Sequence, residues 1–436
     1  MNNIALVQLT QEFPSAIAAC MQWIRRMVSR KSAGRVAFLE GIDHFPADHP
    51  KQRHALLMLP PEAWLTAVKQ YPNIRLFNYY GLTYEIVRAL NENGYIVDIA
   101  DLNRELVPTK KYDLFVGHGG RCRTILDHLP AHAVVYQYVS GAHWKPFNEE
   151  SRQRYERFAK SKGIEVPATY RRDMTALIDG EEYLLQKADC LFTIHCPRMV
   201  LTFCEHQEKF FFTGLGAYID RDLFTRHDER DFDVGRRNFI YVGGTCGNIQ
   251  KGMDVIIEAF ARTPNLHLYI YCKIEDDVRR HYAKELALPN IHYIFHCRYP
   301  VFKKRLKSIM RMVNFSIHAP INTGLGTAFC GTMGLGLIPV GYVDLHDAPD
   351  RMVLCQDWDV DSIAACIVQA AAKDAEWCEA AARRIIDVYD ETCGTPALRA
   401  RFKELFSDTQ RQRIEDRRRS RDSSASSLHP TIDQPP

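Results

Sequence analysis

Residues 238–260 read NFIYVGGTCGNIQKGMDVIIEAF, and the rest of the chain is arranged around this stretch. The continuous apolar run Phe239–Val242 is typical of a strand that is buried on both faces. Gly243 and Gly244 end this run, and apolar residues then recur at helical spacing over 253–260. The stretch therefore predicts a strand, a glycine-rich loop and a helix.

The loop carries groups that suit an anion. Thr245 follows the two glycines, and Lys251 stands at the predicted start of the helix. A helix N-terminus offers unpaired N–H groups and a partial positive charge, glycines let the backbone approach a phosphate, and a lysine adds a full charge. This pattern predicts phosphate or diphosphate binding. A plain strand–helix crossover with a glycine turn is the alternative.

Length and composition indicate a globular protein of two medium domains. The chain has 436 residues, 46% of them hydrophobic, and a net charge of only +3, which argues against nucleic acid as the main partner. The 13 cysteines include no CxxC pair, so we interpret them as reduced core residues rather than as metal ligands or disulfides. The N-terminal residues lack the pattern of a signal peptide and no apolar run is long enough to span a membrane, so we expect a cytoplasmic protein.

Strand-like and helical segments alternate from Ile74 to Thr213, which predicts a parallel sheet flanked by helices. His118 directly follows one predicted strand, and His143 follows another, Ala133–Val139. Open α/β sheets bind ligands at the carboxyl ends of their strands, so both histidines are candidate site residues. The strongly charged helical stretch after His143 is expected to expose its charges to solvent.

A second alternating series begins at residue 238 and runs to the strand Ile338–Tyr342, with several helices after it. The polar stretch 220–237 is the best candidate for a linker between the two series. The last residues, 410–436, contain six arginines and then mostly Ser and Pro, so we expect a disordered, solvated tail. Contact of these arginines with an anionic membrane surface or with RNA is the alternative.

Three segments carry a resemblance to a known family: FIYVGG followed by KGMDVIIEAF, then TGLGTAFCGTMGLGLIPV at 323–340, and more weakly YQYVSGAHWKPFNEE at 136–150. Together they resemble the two-domain nucleotide-sugar glycosyltransferases of the GT-B fold, of the group-1 or family-4 type. The resemblance implies two Rossmann-like α/β domains that face a central cleft. The expected parts are an N-terminal extension (1–71), a first, acceptor-side domain (72–220), a second, nucleotide-sugar domain (221–375), helices that cross back to the first domain (376–409) and the tail (410–436).

The sequence also departs from the family pattern. The family usually has an arginine or lysine in the loop where this chain has Gly243, Gly244 and Thr245, so one diphosphate-binding cation is missing. The family also has two glutamates near the donor sugar and the ribose, and the matching positions here are Thr323 and Gly331. A lost carboxylate–ribose contact of about 1.5–3 kcal/mol weakens donor binding roughly tenfold or more unless another residue replaces it.

The leading hypothesis is a glycosyltransferase that moves a sugar from a nucleotide-diphosphate donor to an unknown glycan, lipid or protein acceptor. No cofactor or divalent metal is expected, because Lys251 and the loop and helix amides would neutralise the leaving diphosphate. The resemblance places a glycine-rich turn near the sugar and phosphates, and it makes His143 and His118 candidate contacts to the transferred sugar. The residues of that turn are Thr323, Gly324, Gly326 and Thr327.

Two other hypotheses stay open. The missing glutamates favour a GT-B-shaped protein without transferase activity that binds a nucleotide or a glycan. A sugar-nucleotide epimerase would need an acid/base pair of carboxylates, for which the sequence offers no clear position. Peripheral contact with the inner face of a membrane is a further alternative to a purely cytoplasmic location.

Overall fold

The computed structural model describes residues 37–47, 50–70, 79–119, 121–166, 178–194, 197–213, 229–243, 247–294, 307–320, 327–341 and 350–427. Within these residues the chain forms two α/β domains, each built on a largely parallel sheet. The predicted fold class is therefore confirmed.

The first sheet has seven described strands in the spatial order β1-β3-β2-β4-β5-β6-β7. Only β1 runs antiparallel to its neighbour, β3, and the other pairs are parallel. The strands are β1 (Phe38–Ile42), β2 (Arg53–Met58), β3 (Tyr95–Ala100), β4 (Leu114–Gly117), β5 (Val134–Tyr138), β6 (Cys190–Thr193) and β7 (Phe210–Phe212).

The second sheet has six described strands, all parallel, in the order β10-β9-β8-β11-β12-β13. The strand predicted at the start of residues 238–260 is β8, and it lies in the middle of this sheet. The strands are β8 (Asn238–Val242), β9 (His267–Tyr271), β10 (Ile291–Tyr293), β11 (Phe315–His318), β12 (Ile338–Gly341) and β13 (Val353–Leu354).

Helices cover both sheets, because parallel strands with apolar residues on both faces need a layer on each side. The helices of the first domain are α1 (Pro61–Gln70), α2 (Tyr79–Glu92), α3 (Arg123–His128), α4 (Trp144–Lys162), α5 (Ile178–Lys187) and α6 (Pro197–Leu201). The later helices are α7 (Phe232–Gly235), α8 (Met253–Ala261), α9 (Asp276–His281), α10 (Thr327–Gly334), α11 (Val360–Ala371), α12 (Ala375–Thr392), α13 (Thr395–Leu405) and α14 (Asp408–Ser427).

The described part of the segment 1–71 is not an extension, which corrects the sequence-based prediction. β2 lies between β3 and β4 inside the first sheet, and its last four residues, ALLM, are buried. β2 contains none of the β-branched or large aromatic residues that are enriched in strands, so its sequence does not indicate a strand until its neighbours are known. The strand predicted from Ile74 falls mostly outside the described residues, and its last two, Tyr79 and Tyr80, begin α2.

Helix α4 exposes only part of its charged residues to solvent, which corrects the expectation in part: Arg152 and Glu156 are more than half exposed, but other charges are buried. It follows β5 of the first sheet, yet Tyr155 and Phe158 are buried in the hydrophobic core of the second domain with Met253 and Tyr282. Arg154, in the middle of α4, is completely buried. Arg154 and Arg157 pair with Asp254 of the second domain, so α4 connects the two domains.

The C-terminal helix α13 packs on the first domain, whereas Cys378 and Ala381 of α12 lie in the core of the second. Leu398 and Phe402 of α13 lie in the same hydrophobic cluster as Tyr136 and Phe192 of the first sheet. The Arg399 guanidinium donates two hydrogen bonds of 2.8 Å to the Glu85 carboxylate of α2.

The tail predicted to be disordered from residue 410 is helical as far as Ser427. Arg418 of α14 donates to the Asp189 carboxylate and to the carbonyl of Ala133, and Arg417 donates to the carbonyl of Glu208. The prediction was wrong over this range because these arginines find partners on the first domain, which composition alone does not reveal. Residues 428–436 lie outside the described residues.

Candidate functional site

Helix α4 joins the carboxyl ends of strands from both sheets. It begins just after β5 of the first sheet, with His143 as its N-cap, and Arg154 reaches the carbonyl of Ala319, the residue that follows β11 of the second sheet. The turn 247–252, which follows β8 and precedes α8, lies at the same place, because a Cβ built on Gly252 would fall 2.6 Å from Arg154 Nη2. The ends of β8 and β11, where α/β proteins bind ligands, therefore meet around this turn, and α4 links them to the end of β5 in the first sheet.

The turn is closed by its own backbone. Lys251 N donates to the carbonyl of Gly247 at 3.0 Å, and Met253 N donates to the carbonyl of Asn248 at 3.0 Å. The Tyr241 hydroxyl of β8 lies 3.4 Å from the carbonyl oxygen of Lys251. These contacts fix Lys251 beside the end of β8, one residue before the Gly252 cap of α8, with its side chain partly exposed.

Gly252 has a backbone conformation that excludes other residues. Its φ of +80° is left-handed, and an added Cβ would lie 2.2 Å from the carbonyl oxygen of Ala319. The lysine–glycine pair seen in the sequence thus allows the start of α8 to approach the end of β11. This close approach also brings Lys251 near the segment that Arg154 contacts.

Two amides of the turn already bind an internal carboxylate. Glu275 accepts hydrogen bonds from Gly247 N at 3.0 Å and from Asn248 N at 2.9 Å. The Asn248 side chain in turn accepts from Glu275 N and donates to the carbonyl of Lys273. The loop amides were predicted to bind a diphosphate, but two of them donate to Glu275 instead. An anion at the turn has to use the side chain of Lys251 and other groups unless it displaces this carboxylate.

A buried ionic cluster adjoins the turn. Arg154 Nη2 donates to the carbonyl of Ala319 at 2.9 Å, and Arg154 Nε lies 3.6 Å from Asp254 Oδ1 in the first turn of α8. The guanidinium carbon stands 4.4 Å from the centre of the Trp358 ring. Arg157, one turn further along α4, donates to Asp254 Oδ2 at 2.8 Å. Burial lowers the pKa of Arg154 while the Asp254 charge raises it, so the guanidinium depends on this one carboxylate.

His143 is held by neighbours on the first domain. Its backbone N donates to Thr202 Oγ1, and its Nε2 lies 3.0 Å from Glu182 Oε1, which also accepts from Trp144 Nε1 at 2.6 Å. Its Nδ1 accepts from Lys145 N at a long 3.4 Å as the cap of α4. Because the carboxylate needs a donor, the ring carries its proton on Nε2. His143 lies about 16 Å along α4 from Arg154, so the helix separates the two residues.

His118 lies at the end of β4, where its Nδ1 is 3.1 Å from the carbonyl oxygen of Tyr138. Burial lowers its pKa, so the imidazole is neutral at neutral pH. Beside it, burial raises the pKa of the Cys122 thiol to about 12. His118 and His143 thus both stand at strand ends of the first sheet, as the sequence pattern predicts for candidate site residues.

Three further predicted donor residues lie within the described part of the chain. Gly243 ends β8, with the Tyr241 and Cys272 side chains within 3.1 Å of the position that a Cβ would take. Thr327 begins α10, and Gly331 lies inside this helix, half-buried. The remaining predicted positions lie outside the described residues: Gly244, Thr245, Thr323, Gly324 and Gly326.

No sequence pattern predicted three residues that contact the candidate site residues: Arg154, Glu275 and Glu182. Arg154 lies in a helix whose charges looked solvated, and nothing in the sequence links it to Asp254. The sequence separation of 27 residues between Asn248 and Glu275 gives no local signal of their contact. Among the residues that the structure describes, no group of three or more His, Cys, Asp or Glu could hold a metal ion, and no helix has the length and apolarity to cross a membrane.

The arrangement of two domains with parallel sheets, joined at the carboxyl ends of their strands, is the GT-B fold, and solved structures match it. Sucrose-phosphate synthase from Thermosynechococcus elongatus superposes with a TM-score of 0.57 and 13% identity over 81% of this chain and 98% of that one. HepE from Anabaena, solved with UDP and glucose, gives a TM-score of 0.51 and 11% identity over 83% of this chain and 100% of that one. At this identity the likeness establishes the fold alone.

No family model matches the sequence, and no curated protein is significantly similar to it. The functional residues therefore have to be argued from the geometry of this chain.

Proposed function

We propose that the protein is a glycosyltransferase that takes a sugar from a nucleotide-diphosphate donor. The observation that carries the proposal is the turn 247–252, which fixes Lys251 at the carboxyl end of β8 within a GT-B fold. The solved neighbours with this fold include a sucrose-phosphate synthase and a protein crystallised with UDP and glucose, which supports a nucleotide-sugar as the donor.

In the proposed reaction the diphosphate leaves with a growing negative charge. The Lys251 ammonium would stabilise this charge, since a fixed cation at a partly desolvated site costs no reorganisation when the charge develops. The acceptor would approach from the first domain, where His118 and His143 stand at the ends of β4 and β5. The Glu182 carboxylate would keep the His143 ring in one orientation during this approach.

A calorimetric titration of nucleoside diphosphates into wild type and Lys251→Ala tests the proposal. A charge-assisted contact is worth about 1.5–3 kcal/mol, so we expect the affinity of the variant to fall roughly ten- to a hundredfold. Lys284→Ala is the matched control, because it removes an exposed lysine of the same domain outside the turn. Equal affinities for wild type and Lys251→Ala, with both proteins folded, would mean that the turn is not a phosphate site.

A GT-B-shaped binding protein without transferase activity is the second candidate. The Glu275 carboxylate favours it, because it occupies two amides of the turn that an anion would otherwise use. A panel of nucleotide-sugars incubated with the purified protein separates the two candidates. Release of free nucleotide in the presence of acceptor sugars supports transfer, whereas binding without release supports the second candidate.

A further inference from the structure

Arg154 stands at the donor turn although it belongs to a helix of the first domain. None of its side chain is exposed, its Nη2 atom donates to the carbonyl of Ala319, and its guanidinium stacks on Trp358. A Cβ on Gly252 would fall 2.6 Å from that same Nη2 atom, so the guanidinium touches the residue that follows Lys251. The positive charge therefore lies at the N-terminal end of α8.

The charge of Arg154 is only partly compensated. Asp254 is completely buried and serves two guanidinium groups, with Arg157 at 2.8 Å and Arg154 at 3.6 Å. Arg154 Nε and Nη1 make no hydrogen bond within the described part of the chain, and Asp254 Oδ1 makes none either. The other carboxylates of this cluster pair with cations other than Arg154: Glu258 with Arg157 and Lys162, and Glu285 with Lys162. A buried guanidinium with unused donors, at a helix end that is itself positive, favours an anion nearby.

The loop after β8 contains no cation of its own before Lys251. Residues 243–250 read GGTCGNIQ, without lysine or arginine. Gly252, the cap of α8, has no side chain with which to accept hydrogen bonds from the helix amides. The loop thus lacks a second local cation, and Arg154 is the cation that α4 brings to the start of α8, beside the buried Asp254 of its first turn.

We propose that Arg154, carried by α4 of the first domain, supplies the second positive charge at the turn and contributes with Lys251 to binding the diphosphate of the nucleotide. This inference rests on the proposed function. It means that cations from both domains neutralise the charge of the diphosphate. Because Arg154 is buried, it acts through its field in a low-dielectric environment, as a positioning residue for the diphosphate.

Two substitutions with opposite effects on the local charge test this inference. Arg154→Met removes the positive charge and keeps most of the packing volume, so the Kd for a nucleoside diphosphate should rise about five- to tenfold. Asp254→Asn removes the compensating negative charge and should lower the same Kd about two- to fivefold. The affinity for the unphosphorylated nucleoside should stay within about twofold of wild type in both variants.

A structural role for the pair predicts a different pattern. Removing either partner of a purely structural ion pair destabilises the protein. Both variants would then shift the nucleoside-diphosphate affinity in the same direction or leave it unchanged. That result would overturn the inference. Arg157→Met is the matched control, because Arg157 carries the same charge and pairs with the same carboxylate, Asp254, but is 25% exposed. This variant should change the Kd less than twofold. If Arg154→Met does not fold, the gain expected for Asp254→Asn still decides the matter.

The outcomes also separate this inference from the function on which it rests. Absence of nucleoside-diphosphate binding by the wild-type protein would contradict the proposed function itself. Binding by wild type that depends on Lys251 but not on the charges of Arg154 and Asp254 would contradict only the assignment of Arg154.

Discussion

At the scale of single residues, Gly252 determines how closely α8 approaches β11. An alanine at this position would have to adopt the left-handed conformation of Gly252, which costs about 1–2 kcal/mol. Its Cβ would also lie 2.2 Å from the carbonyl oxygen of Ala319. We therefore expect Gly252→Ala to destabilise the protein by more than about 2 kcal/mol, measured as a lower midpoint in urea or thermal unfolding.

Gly141→Ala is the appropriate control for this change. No heavy atom would lie within 4 Å of its added Cβ, and its φ lies outside the left-handed region. Its unfolding midpoint should match wild type. If Gly252→Ala unfolded at the same midpoint as this control, α8 would not approach β11 as closely as described above.

His318, at the end of β11, makes the stability of the protein depend on pH. Burial lowers its pKa to about 3, against an ordinary value of 6.5. Between these values the unfolded chain binds a proton that the folded protein does not, so stability falls as the pH drops below about 6.5. From pH 7 to pH 5.5 this group alone should remove about 1 kcal/mol from the free energy of unfolding.

The comparison with His318→Gln isolates this contribution. The variant cannot take up the proton, whereas the other histidines titrate equally in both proteins, so wild type should lose about 1 kcal/mol more than the variant over this range. Urea unfolding at the two pH values provides the measurement. Parallel losses in the two proteins would show that His318 is not buried in its neutral form.

The individual residues differed in how far sequence could predict them. Lys251 and Gly252 lie within one short stretch, and the chemistry of a strand, a glycine turn and a helix start indicates their role locally. Arg154 and Glu275 reach the same turn from distant parts of the chain. Their contacts depend on which helices pack together, so no local pattern could predict them.

At the scale of elements, α14 is held to the first domain by arginine contacts as well as by the buried side chain of Ile414. Arg418 donates to the Asp189 carboxylate at 2.6 Å and to the carbonyls of Ala133 and Ala131. Asp189 is only 11% exposed and also accepts from Val135 N in β5. Loss of the guanidinium would leave this carboxylate poorly compensated, so we expect Arg418→Ala to cost about 1–3 kcal/mol.

Arg419→Ala tests whether this cost is specific. Its side chain is 70% exposed, and within the described residues its ion pairs are with Glu415 and Asp416 of its own helix, so its removal should have almost no effect on thermal unfolding. Equal midpoints for the two variants would show that the contacts of Arg418 contribute nothing to stability.

Sequence patterns predicted most elements of the second domain and fewer of the first. The second sheet has apolar β-rich runs such as Phe239–Val242, which a continuous pattern identifies. β2 is built from Leu, Met and Ala, whose preference for a strand comes only from its neighbours. The arginines of α14 looked like a solvated tail because their partners, Asp189 and Glu208, lie some 200 residues earlier in the chain.

At the scale of the whole molecule, the two alternating series predicted two α/β domains, and the structure has them. The resemblance implied that the last helices cross back to the first domain, but nothing in the sequence predicted that α4 packs in the second. α4 leaves the first sheet to pack in the core of the second domain, while α13 packs in the core of the first. Each exchange depends on complementary surfaces that form only in the folded protein.

The return of α13 and α14 to the first domain has a consequence for biosynthesis. Leu398, Phe402 and Leu405 complete the apolar layer that covers Tyr136 and Phe192. The ribosome synthesises these three residues long after the strands that they cover. The apolar surface of the first sheet therefore stays uncovered until the entire second domain has been synthesised. During that interval the nascent chain presents an apolar surface to chaperones and to other unfolded chains. A premature stop codon anywhere before residue 395 would leave that surface exposed permanently.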